Sequence, residues 1–142
     1  MTRFWGLLVL PLALLPGLTA CVPAPHRVYF TPRISGTLSD HGRPVIEARV
    51  RLLGAGTEQE AMAVTDPDGR FSFEPLSQFV MSTSLFGAPS TYGYLIEIGV
   101  GGRVYPGLTH SEEGYAPAQV TLDCDLSRPL GGAADQHYCE QR

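Results

Sequence analysis

The side chains able to do chemistry are few and scattered. Three cysteines stand at Cys21, Cys124 and Cys139, and four histidines at His26, His41, His110 and His137. A cysteine sulfur can be a nucleophile, a metal ligand, a disulfide partner or an acylation acceptor, so spacing and compartment decide its role. Cys124, His137 and Cys139 match no standard zinc spacing, and the histidines are far apart without close ligand spacing. Solvated loop histidines account for them more simply than a metal site. Asp66-Pro67-Asp68-Gly69 invites a calcium reading. With Gly69 in the sixth position of such a loop, Val64 would be first and Pro75 twelfth, so two essential ligands are missing. A reverse turn, preset by proline and eased by glycine, is expected instead. No Gly-x-Ser-x-Gly elbow presents a nucleophile, and Glu112 and Glu113 lie in a polar stretch where solvated surface is the default. Neither a catalytic group nor a metal or cofactor is expected. The aromatic set Phe79, Phe86, Tyr92, Tyr94, Tyr105 and Tyr115 could line a binding surface, with Tyr92, Tyr94 and Tyr105 the candidates for contact. Core packing is the competing role for them.

Composition narrows the partners. The chain of 142 residues carries a formal charge of −4, and all ten of its basic residues are arginine. A mildly acidic chain gives no electrostatic reason to bind nucleic acid. The absence of lysine removes Schiff-base chemistry. Its length suits one domain with a single core.

The amino terminus has three regions. Arg3 supplies a positive charge, and Phe4 to Leu15 is an apolar run too short to span a bilayer and interrupted by Pro11. Leu18-Thr19-Ala20-Cys21 then resembles the bacterial lipobox. That resemblance implies that residues 1–20 are a signal peptide and that the Cys21 thiol receives a diacylglyceryl group. A plain cleaved signal with an incidental cysteine is the alternative. Acyl chains contribute about 0.8 kcal/mol per buried methylene, so two or three of them anchor a protein stably to a lipid bilayer. Val22 stands where an aspartate would resemble the inner-membrane retention signal of enteric bacteria, which favours the outer membrane where the host has one. Residues 22–32 contain three prolines and little periodicity, so 21–33 is expected to be an extended tether.

An exported chain with Cys21 committed to lipid is left with Cys124 and Cys139, an even pair in an oxidising compartment. A disulfide is expected, closing a loop of fifteen residues and worth about 3 kcal/mol. It would tie the glycine-rich tail, 127–142, to the last strand.

The positioning elements read as strands. Ala48, Val50 and Leu52 alternate with Arg49 and Arg51, as a sheet with one dry face requires. Tyr94, Ile96, Ile98 and Val100 alternate in the same way, as do Val120, Leu122 and Cys124. Ile34 to Leu38 is a short strand. Ala61–Thr65 and Arg70–Phe73 are expected to form a hairpin about the 66–69 turn, with Phe71 and Phe73 inward. Residues 78–86 are strand-like, and 87–93 and 108–117 are expected to be connections. Six to eight such strands over 34–126 imply an all-β sandwich.

Ile34-Ser35-Gly36-Thr37-Leu38, Gly42-Arg43-Pro44-Val45, Ala48-Arg49-Val50 and Thr65-Asp66-Pro67-Asp68-Gly69-Arg70-Phe71-Ser72-Phe73 together resemble the carboxypeptidase regulatory-like (transthyretin-like) domain. The similarity covers 34–76 by motif and the later strands by pattern. It implies a seven-stranded antiparallel Greek-key sandwich and a non-catalytic accessory or recognition role. Some transthyretin-like folds hydrolyse 5-hydroxyisourate with a carboxy-terminal Tyr-Arg-Gly-Ser motif; here the end is Tyr138-Cys139-Glu140-Gln141-Arg142. The expected protein is therefore a lipid-anchored module of the cell envelope that contacts a protein partner there. A small-molecule or glycan binder using the aromatic loops is the alternative.

Overall fold

A computed structural model describes residues 24–82 and 91–142, all of them strand, turn or loop. Cys21, the leader and Phe86 lie outside the described residues. Among the described residues eleven strands form: β1 (Ala24–Tyr29), β2 (Arg33–Asp40), β3 (Arg43–Pro44), β4 (Arg49–Gly54), β5 (Glu60–Val64), β6 (Arg70–Phe73), β7 (Ser77–Ser82), β8 (Thr91–Val100), β9 (Arg103–Glu113), β10 (Gln119–Asp125) and β11 (Cys139–Gln141). One sheet runs β11-β10-β2-β3 with β6 also on β2, a second runs β5-β4-β8-β9, and β1 and β7 make a separate ribbon.

The alternating segments place the core. Ile34, Leu38, Phe71, Phe73, Val120, Leu122 and Cys124 from one sheet pack with Ala48, Val50, Leu52, Tyr94, Ile96 and Ile98 from the other in a single buried cluster. Two sheets sharing one dry interior make a β-sandwich. Phe71 and Phe73 both point inward, edge to face at 6.0 Å. Gly36 makes room for them, since a Cβ there would lie 2.5 Å from Phe71 Cζ.

Four expectations change. The strand count exceeds seven, and β10 lies parallel to β2, so the sandwich is antiparallel except at that pair. The two strands come from opposite ends of the domain, and nothing local in either sequence fixes their relative direction. The 66–69 turn forms, with the Gly69 N–H donating to the Asp66 carbonyl at 2.9 Å and Gly69 at φ 72. Its flanking strands do not pair: β5 joins β4, while β6 crosses to the other sheet and joins β2. Buried Thr65 makes the crossing, donating its hydroxyl to the Val45 carbonyl (2.7 Å) and accepting the Ala48 N–H (2.9 Å).

The tether is shorter than 21–33. Residues 24–29 pair with β7 from Ala24↔Ser82 to Tyr29↔Ser77, and Thr31 and Pro32 are fully buried. Prolines are tolerated there because ribbon strands have an open edge that needs no N–H. Lastly, the polar stretch 108–113 continues β9 and 91–93 begins β8; both were expected to be loop. An edge strand with one side in water need not be apolar.

The tail is built in. Cys124 and Cys139 are bonded, buried and directly opposite in the β10–β11 ladder. The Tyr138 N–H donates to the Pro106 and Gly107 carbonyls, at 3.0 and 3.1 Å. Gly107 is the extra residue of a bulge, since Ile96 faces Leu108 and Glu97 faces Pro106. A Cβ at 107 would sit 2.6 Å from Ile96 Cγ2. The tail thus bonds to β10 of one sheet and to β9 of the other.

Candidate functional site

The aromatic candidates do not form an outward surface. Tyr94 is 1% exposed and Tyr92 8%, and both point into the sandwich from β8. Tyr105 is half-buried, edge-on to Tyr138 at 5.4 Å. The physical reason is the alternation that identified β8: residues 92, 94, 96 and 98 share one face, and that face is the core.

Around the tyrosines lies a polar knot. The Tyr92 hydroxyl donates to Glu112 Oε2 at 2.7 Å, and His110 Nε2 lies 3.4 Å from the Tyr92 hydroxyl and 3.5 Å from the same carboxylate. The His110 ring stacks on Tyr94 at 5.3 Å, and the Tyr94 hydroxyl reaches Gln141 Oε1 at 3.4 Å. Burial pushes the Tyr94 phenol up to about 12, with the neighbouring Tyr92 adding to the shift. Tyr92 is also raised, first by its hydrogen bond to Glu112 and then by burial. Both phenols therefore stay neutral, so neither is a ready base or nucleophile. The knot fastens β8, β9 and β11 together.

The other candidates fall into separate structural roles. Asp66 Oδ1 accepts the N–H groups of Asp68 (2.9 Å) and Arg70 (2.8 Å), a turn that commits the carboxylate to backbone. His41 pairs with Asp40, and His137 Nδ1 lies 2.9 Å from the Asp135 carbonyl. Among the described residues His41 and His110 share no partner. Among the described residues no three His, Cys, Asp or Glu side chains converge as a metal site.

The feature most suited to contact is the outer face of the β5-β4-β8-β9 sheet. Ladder pairing sets out two rows across it: Val64–Arg49–Gly99–Val104, and Met62–Arg51–Glu97–Pro106. Residues directly opposite in an antiparallel ladder point to the same side, so each row is a line of neighbours. Gly99 has no side chain, which leaves a hollow floor between Arg49 and Val104. The resulting groove holds about 650 Å³ and is lined by Ile46, Glu47, Arg49, Met62, Arg103 and Val104 among others. Ile46, Met62, Val64 and Val104 are exposed apolar side chains.

Charge in the groove is uneven. Arg51 donates to Glu60 (2.8 Å from Nε) and to Glu97 (3.2 Å from Nη1), and the Glu60 hydrogen bond and charge raise its already high pKa. Neither Arg49 nor Arg103 makes an ion pair among the described residues. Two free guanidiniums beside four exposed apolar side chains suit a segment that is acidic and apolar together. The sequence carried half of this signal in the outward alternation of Arg49 and Arg51. The rest needs four strands from distant parts of the chain set side by side.

No family model matches the chain, and no curated protein matches it either.

Proposed function

We propose that this protein is an exported lipoprotein, held to the envelope by acyl chains on Cys21, and that it acts there without catalysis as a protein-interaction module of the carboxypeptidase regulatory-like type. The observation that carries the reading is the Cys124–Cys139 bond. It supports an oxidising compartment as the setting of the chain and leaves Cys21 as the one cysteine for the lipobox-like sequence to use.

The groove over Gly99 supports the interaction role. It opens at the end of β8 far from residue 93, where the Gly93 N–H donates to the Phe30 carbonyl and joins β8 to the amino-terminal segment. Six residues of strand separate Gly93 from Gly99, about 20 Å. The groove therefore opens at the end of β8 opposite to the one that joins the amino-terminal segment. An envelope protein is the partner that such an arrangement serves.

Two measurements test the reading. Cells fed an alkyne fatty acid should label the protein, and Cys21→Ser should abolish the label; labelling that survives the substitution refutes the anchor. A photo-crosslinking amino acid at Val104 should join the protein to an envelope partner, and Arg49→Glu with Arg103→Glu should remove that adduct. An adduct unchanged by the charge reversal refutes the groove as the contact.

A further inference from the structure

The β1–β7 ribbon carries a face that the sandwich does not use. Its register sets Pro25 opposite Met81, Arg27 opposite Phe79 and Tyr29 opposite Ser77, so these six side chains share one side. Tyr29 is 53% exposed, Phe79 64% and Met81 67%. The Arg27 guanidinium lies over the Phe79 ring, 4.5 Å from its centre. On the opposite face Val28 and Val80 are half-buried. The apolar side is therefore the one turned outward, the reverse of what an isolated soluble ribbon should show.

Among the described residues, the hydrogen bonds that join the ribbon to the sandwich lie at its base. There the Phe30 N–H donates to the Leu76 carbonyl (2.9 Å) and the Leu76 N–H to Thr31 Oγ1 (2.9 Å), with Thr31 buried. Its far end is the Ala24–Ser82 pair. Cys21 precedes Ala24 by three residues, so its sulfur lies within roughly 10–15 Å of that end whatever path the chain takes. Acyl chains on that sulfur bring the bilayer to the tip of the ribbon.

Charge agrees with that placement. Strands β1 and β7 contain Arg27 and His26 but no Asp or Glu, in a chain that carries fourteen carboxylates. An exposed Phe, Tyr and Met with an Arg and no acid is the composition of a surface that settles among lipid headgroups, where aromatic rings and a snorkelling arginine find both their media.

We propose that the outward face of this ribbon is a second membrane contact: Phe79 and Met81 enter the interfacial region and Arg27 pairs with lipid phosphate. The contact orients the sandwich on its anchor. This inference rests on the lipoprotein reading above.

The chain offers a clean reporter. Its single tryptophan falls in the leader, before Cys21, so Phe79→Trp makes a one-tryptophan mature protein. The lipidated Phe79→Trp protein is reconstituted into phosphatidylethanolamine–phosphatidylglycerol vesicles containing brominated phosphatidylglycerol, and its intact mass is recorded. Val104→Trp, on β9 opposite Gly99, is the control. The expected result is a blue-shifted emission and about twofold or greater quenching at 79, with little at 104. An acylated protein whose residue 79 is quenched no more than residue 104 overturns the ribbon contact and leaves the anchor standing. The same null result accompanied by self-association in sedimentation assigns the face to a second copy and also overturns it. A mass without acyl chains overturns both the anchor and the inference built on it.

Discussion

Removing the disulfide should both destabilise the whole domain and release its tail first. The bond closes a loop of fifteen residues, for which the loop-entropy relation gives about 3 kcal/mol. What else holds β11 is modest: three ladder pairs with β10, the Arg142 N–H on the Thr121 carbonyl, the Tyr138 N–H on the bulge at Gly107, the long Tyr94–Gln141 hydrogen bond, and the surface pairs Arg128–Glu140 and Arg142–Asp123. Exposed ion pairs of that kind contribute at most about 1 kcal/mol each. The Cys124→Ala, Cys139→Ala protein should therefore unfold roughly 10–15 °C lower than the parent, at about 3–5 °C per kcal/mol for a domain of this size. In native-state hydrogen exchange the amides of Tyr138 and Gln141 should lose protection before those of Val50 or Ile98, because the tail can open without breaking the core. Both sulfurs are buried, so mild reductant should act on the folded protein only as fast as β11 opens. Calorimetry and exchange on the two proteins decide the matter. A melting point within about 2 °C of the parent, with the tail still protected, would refute the loop-entropy argument and show that β11 is held by its ladder alone.

Further outcomes follow from particular residues. Because burial holds the Tyr94 phenol at about 12 against 10.0 when free, the folded chain keeps a proton that the unfolded chain loses above pH 10. Stability should fall with rising pH between those values, by up to about 3 kcal/mol, and Tyr94→Phe should flatten that slope in urea titrations; equal slopes would contradict the burial. Gly36→Ala forces a methyl against the Phe71 ring and should cost about 1–3 kcal/mol, read as a lower urea midpoint. Val64→Ser, on the outer face, should leave the unfolding free energy within about 0.5 kcal/mol of the parent, since its side chain is largely in water already.

The core was legible where one face of a strand is dry and the other wet. Ala48, Val50 and Leu52, then Tyr94, Ile96 and Ile98, then Val120, Leu122 and Cys124 all occupy the buried side their alternation implies. The disulfide was legible through cysteine arithmetic, without any geometry. Turn chemistry at Asp66–Gly69 located a reversal but could not say that its two strands belong to different sheets, because that depends on β4 and β2 competing for them as partners. The prolines of 22–32 masked a strand whose backbone bonds on one side only. In 108–113 polarity marked an edge strand, which has the same composition as a loop. Tyr94 was weighed as a surface from residue type, whereas its strand period already assigned it inward; Tyr92 was read as part of a connection, and only the extension of β8 to Thr91 turns it inward. The groove and the ribbon face were beyond a linear reading, since each is made by cross-strand neighbours many residues apart.

The anchor remains the claim on which location, orientation and the membrane-facing ribbon all depend. Intact-mass measurement of the chain extracted from membranes, with sequencing of its amino-terminal peptide, addresses it most directly. The account predicts a protein that begins at Cys21 and carries a diacylglyceryl mass on that residue. A chain that begins elsewhere, or begins at Cys21 with a free thiol and partitions into the aqueous phase, would contradict it.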